Sequence, residues 1–163
     1  VYILSMATEE MKEGVMRAFA DKLIDILERH TEEVARQWSK AVRSNPRTPF
    51  YHALSEEDYV QWGISFYENL RKLYFSARPY PEVDEFFSRL GREMFNKGIP
   101  LEEAVYTLIL LRRHIWLFAD FNVVFVTTLD MHQAVESINR TIQMFDQGIF
   151  AVTRKYGELT KSR

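Results

Sequence analysis

Cysteine is absent from the 163-residue chain, which excludes disulfides, thiolate metal sites and cysteine nucleophiles and fits a reducing compartment. Glycine and proline are scarce, six and five in all, so few positions interrupt regular secondary structure. No stretch approaches the roughly 18 consecutive apolar residues of a membrane span. The strongest apolar run, Val105 to Leu111, contains Tyr106 and Thr107 and closes on two arginines. The opening VYILSMATEEM lacks the basic start and the length of a secretion signal. A start at valine is expected of a trimmed chain, and the setting expected is cytoplasmic. Charge of one sign is lacking too. The formal net charge is −2, so no broad basic field attracts nucleic acid or an anionic membrane.

Several chemical signatures are also missing. There is no glycine-rich phosphate loop and no Gly-x-Ser-x-Gly elbow. None of His30, His52, His114 and His132 has a glutamate three residues before it, so the Glu-x-x-His pairs of a di-iron bundle are absent. His132 and Glu136 lie one turn apart, a spacing more often a surface contact than a metal site. Acids are plentiful but mark no acid–base dyad. A non-enzymatic protein without a metal or other cofactor is expected. His30 is followed by acids, as in the phospho-acceptor helix of histidine kinases. That motif needs a proline a few residues on, and the first is Pro46.

What is present is helical period almost throughout, in a composition 47% hydrophobic and 27% charged that suits one globular domain. The expected fold is all-α, a single globin-like or bundle-like domain of five to six helices. Residues 1–128 are expected to form the helical core, and 129–163 a long C-terminal helix of the same domain. A first helix from near Thr8 to about Arg43 carries Met11, Val15, Phe19, Leu23, Val34 and Trp38 at three- and four-residue spacing, with Thr31 a candidate cap for a second segment. SNPRTPF is a loop, and Ser55 with the acids behind it starts a helix ending before Arg78. Pro81 suits the first position of a helix that Gly98 closes as a left-handed cap. The next helix opens at Pro100 and runs to about Asn122, and Val123 to Thr128 form a connector. Along the last helix Met131, Val135, Ile138, Ile142, Phe145, Ile149, Val152, Tyr156 and Leu159 alternate four- and three-residue steps. That repeat belongs to a coiled-coil seam or to a long core helix. Gly148 and Gly157 weaken the helix. It ends at Lys161-Ser162-Arg163 without a globular finish, as expected if it leads into a further domain.

The segment LILLRRHIW (108–116) sets charge inside an apolar helix. Projected at 100° per residue, Leu108, Leu111, Ile115, Phe118 and Ala119 share one face, while Glu103, Tyr106, Thr107, Leu110, Arg113 and Leu117 share the other. Arg113 is then solvated, His114 lies at the boundary, and Arg112 falls within the apolar face. A buried guanidinium must be paired, since an unpaired buried charge is costly. Two readings follow for Arg112: an ion pair with Glu93 or Glu68, or a cavity position meeting an anionic ligand or a partner's carboxylate. A third is a side chain reaching to the edge. Arg112, His114 and Trp116 are the candidate ligand-binding residues, and the aromatic density around Trp62, Phe66, Phe87 and Trp116 permits an internal pocket.

LERHTEEVARQW (27–38), the SEED start (55–58), GREMFNKGIPLEEAVYTLILLRRHIW (91–116) and SINRTIQMFDQGIFAVTRKY (137–156) together resemble the N-terminal sensory domain of the RsbRD type, the stressosome co-antagonist class. The most specific part is the glycine and proline before an acidic helix start, with Arg112 following in apolar surroundings. The resemblance spans nearly the whole chain and carries no catalytic signature. It implies a globin-related helical bundle without haem, placed at the front of bacterial signalling proteins, that dimerises and passes a signal through its last helix. The expected function is therefore a signal-input and dimerisation domain, with a homodimer formed through Ile138, Ile142, Phe145, Ile149, Val152 and Tyr156 and a downstream output domain or signalling partner. Two alternatives stand beside it: a haem-based gas sensor using His114 or another histidine, and an adaptor that docks a protein partner.

Overall fold

The computed structural model describes residues 20–121 and 128–162, and at positions 120, 121 and 128–132 the backbone alone. The chain is all-α, with no strand among the described residues. Residues 20–29 are helical (α1), followed by α2 (Thr31–Ser44), α3 (Pro49–His52), α4 (Glu56–Glu68), α5 (Leu70–Tyr74), α6 (Pro81–Asn96), α7 (Leu101–Phe121) and α8 (Thr128–Lys161). This is more than the expected five to six helices, because two periodic stretches break and the proline loop folds a short turn of its own. The expected start near Thr8, with Met11, Val15 and Phe19, lies outside the described residues, as do the connector Val123 to Thr127 and the side chains of Met131 and His132.

The first break is at His30, whose backbone leaves the helix at φ −118 and ψ 24. Thr31 does not cap α2. Its hydroxyl donates back to Glu28 O at 2.9 Å and Leu27 O at 3.3 Å, which satisfies the orphan carbonyls of α1 instead. Ser55 stands at the expected N-cap of α4, yet its hydroxyl donates to Asp58 Oδ2 at 2.8 Å rather than accepting a backbone N–H. The second break, at Asn69, separates α4 from α5. At the end of α6 the expectation from Gly98 holds. Its φ is +81, Gly98 N–H donates to Phe95 O at 2.9 Å, and Ile99 N–H donates to Met94 O at 3.1 Å. These are the two hydrogen bonds of a Schellman end, and the positive φ is why glycine stands there.

Packing follows from which faces are apolar or small. The pairs α2–α4 and α6–α8 make the most extensive contacts, and α7 joins them by packing on both α2 and α8. Gly63 lets α4 approach α2, since a Cβ there would stand 2.8 Å from Trp38 Cε3. The Trp38 indole N–H crosses to Thr107 O at 3.1 Å. At the centre the rings of Phe66, Phe87 and Phe145 meet, with Phe66–Phe145 centroids 5.3 Å apart. Arg71 of α5 reaches Asp21, Asp25 and Glu28 of α1, an exposed cluster worth little per pair but one that ties the two elements.

Candidate functional site

In α7 the buried arc is wider than hydropathy indicates. Leu108, Leu111, Ile115, Phe118 and Ala119 are buried as expected, but so are Glu103, Thr107, Leu110 and His114. Each polar member has a local reason. The Glu103 carboxylate accepts the backbone N–H of Phe50 at 2.8 Å, at the start of α3, and the Thr107 hydroxyl donates to Glu103 O at 2.8 Å. The placement of Glu103 and Thr107 on a solvated face is thus corrected: both lie where α7 meets α2 and the α3 turn.

That shift of the buried arc moves Arg112 to its edge. The side chain is 29% exposed, and its Nη1 lies 3.8 Å from Asp146 Oδ1 on α8, itself 61% exposed. The expected pairing with Glu93 or Glu68 is replaced by this loose pair. An exposed pair at such a distance contributes at most about 1 kcal/mol. Arg113 is exposed, as projected. His114 is not a boundary residue but a buried one, 9% exposed. Its Nδ1–H donates to Leu110 O at 2.8 Å. Burial holds the imidazole below its ordinary value of 6.5; the Leu110 hydrogen bond opposes this, and the Arg113 charge lowers it further. The ring is therefore neutral near pH 7, with Nε2 as the unprotonated nitrogen.

Trp116 is half-buried and faces a groove of about 620 Å³ between α7 and α8, where it meets Ile109, Arg112, Leu117, Ile138 and Ile142. So Arg112 and Trp116 are brought together, while His114 turns away into the core. Leu117 is 48% exposed, Val135 56% and Ile142 38%, a level of exposure unusual for a cluster of large aliphatic side chains. Leu117 and Ile109 escaped sequence reading because they sit on the charged side of α7; Val135 was visible as part of the heptad stripe.

The six residues expected to form a dimer seam on α8 part company. Phe145 and Val152 are fully buried and Tyr156 nearly so. Phe145 packs on Phe66 and Phe87, and Val152 lies against Gly91, where a Cβ would stand 3.1 Å from Val152 Cα. The Tyr156 hydroxyl donates to Ile99 O at 2.9 Å. These three belong to the domain's own core and are removed from any surface seam. Ile138, Ile142 and Ile149 remain partly accessible. Among the described residues no group of His, Asp or Glu is placed to hold a metal ion, and no helix is long and apolar enough to cross a membrane. No family model matches the chain, and comparison with curated proteins and with solved structures likewise gives no match.

Proposed function

We propose that this chain is a non-enzymatic signal-input and dimerisation domain of a cytoplasmic bacterial signalling protein. In this reading the α7–α8 face receives a second copy of the chain, and α8 carries the signal onward to an output domain or partner. The observation that carries it is the line of accessible aliphatic side chains, Leu117 on α7 with Val135, Ile138 and Ile142 on α8, beside the half-buried Trp116. Val135, Ile138 and Ile142 follow three- and four-residue steps, so they form one continuous stripe. A twofold pairing would bury that stripe against itself. Arg112 and Arg113 border it, with Asp146 paired to Arg112 at 3.8 Å, so its edge is polar, as the rim of an interface is. The sequence resemblance to the RsbRD type supports the signalling role.

Light scattering at micromolar concentration tests this directly, with a dimer as the expected result. Ile142→Asp places a charge in the stripe without touching the core and should yield a monomer with unchanged helical content by circular dichroism. A wild-type chain that is strictly monomeric would overturn the reading.

A further inference from the structure

On another side of α8 from the Ile138–Ile142 stripe, the segment after α5 and α8 enclose a polar cleft of about 390 Å³. That is the size of a small-molecule site. Arg78 and Tyr80 line it from the loop, and Glu136, Asn139, Arg140 and Gln143 line it from α8.

Arg140 is held in a fixed pose. Its Nε donates to Tyr74 O at 3.1 Å, and the guanidinium carbon lies 5.6 Å from the centroids of both Tyr74 and Phe75. One edge of the fork is thereby committed to the protein, and the Nη donors remain. Arg78 brings a second guanidinium to the same cleft, with Nε donating to the Tyr80 hydroxyl at 3.3 Å. The Tyr80 backbone sits in the left-handed region at φ 63, a conformation that costs a non-glycine residue energy and occurs often at functional positions.

Arg71, Arg112 and Arg154 each have a carboxylate partner, whereas among the described residues neither Arg78 nor Arg140 has one within 4.0 Å. Two guanidinium groups sharing a partly enclosed cleft repel each other, and an anion between them turns that repulsion into attraction. Glu136 adds one acid to the lining against the two cations, so the cleft keeps a net positive charge. A planar fork recognises an oxyanion through paired hydrogen bonds. The amides of Asn139 and Gln143 supply further donors.

We propose that this cleft is a binding site for a small polar oxyanion, a carboxylate or phosphoryl group, held between Arg140 of α8 and Arg78 of the loop before α6. Such a ligand would bridge that loop to α8. The site does not depend on dimerisation through the α7–α8 face.

The test is titration of the full chain, at low ionic strength, with inorganic phosphate and separately with succinate. Binding is followed through the side-chain amide resonances of Asn139 and Gln143. Saturable shifts with either probe are expected, and the probe that binds identifies the group. Arg78→Gln, an exposed change that leaves circular dichroism unaltered, should weaken binding at least about tenfold through loss of a charge-assisted contact. Glu136→Gln should instead tighten it. Absence of saturable shifts with both probes overturns the proposal, as does an affinity that Arg78→Gln leaves unchanged.

Discussion

A histidine within a buried helical face must find a partner for one ring N–H and a reason to stay neutral, and His114 has both. The carbonyl of Leu110, one turn back, takes the Nδ1 proton, and desolvation suppresses the imidazolium. Because its folded pKa lies below the ordinary value, the unfolded chain binds more protons as pH falls through that value. His114 then contributes stability that is fully present above about pH 7 and is lost on acidification. Urea unfolding at neutral and mildly acidic pH checks this. His114→Gln, whose amide can still reach the Leu110 carbonyl, should show a smaller loss of stability between the two conditions than the wild type. An equal loss in both proteins would assign the pH dependence elsewhere. Its neighbour Arg112 was legible in sequence as an anomaly, but its fate was not. A shift of the buried arc toward Thr107 and His114 suffices to carry the guanidinium from the core to a groove edge.

Helix α8 carries two heptad stripes side by side. One is aliphatic and aromatic: Val135, Ile138, Ile142, Phe145, Ile149, Val152 and Tyr156. The other precedes it by one residue and is made of Ala134, Ser137, Thr141, Met144, Gly148 and Ala151, all buried. Hydropathy marks the first and is nearly blind to the second, since serine, threonine and glycine read as polar or neutral. Close packing seats α6 against Gly148 of the second stripe and Val152 of the first, and the first stripe is divided between core and surface. Gly148 is the tightest point. A Cβ there would stand 2.7 Å from Cδ2 and Cε2 of the buried Phe87 ring, and that ring is held by Phe66, Phe86 and Phe145. Gly148→Ala gains about 1 kcal/mol of helix propensity against overpacking of about 1–3 kcal/mol. A net loss of about 1 kcal/mol is expected in denaturant unfolding. Gly157, in the same helix, has nothing within 4 Å of its would-be Cβ, so Gly157→Ala should stabilise by about 0.5–1 kcal/mol. Two glycines that look alike in sequence thus give opposite signs.

At the scale of the whole molecule, α7 is the bridge between the α2–α4 and α6–α8 pairs, and its remaining side joins α8 in presenting the accessible aliphatic stripe. If a second copy covers that stripe, folding and association are linked, and the apparent melting temperature must rise with protein concentration. Thermal unfolding followed across a hundredfold range of concentration should show this for the wild type and not for Ile142→Asp. A concentration-independent midpoint in the wild type would argue against the pairing.

The all-α class, the Pro81 start, the glycine-closed end of α6 and the long last helix follow from local chemistry, because periodicity, proline φ and positive-φ glycine act within a few residues of themselves. The breaks at His30 and Asn69, the burial of Glu103 and His114, the division of the α8 stripe and the cleft joining Arg78 to Arg140 depend on contacts between segments far apart in the chain. Which face of a helix is inside is decided by what packs against it. On α8, Gly148 and Val152 take the places against α6 while Val135 and Ile142, in the same heptad row as Val152, stay exposed, and that choice is made only when the helices meet.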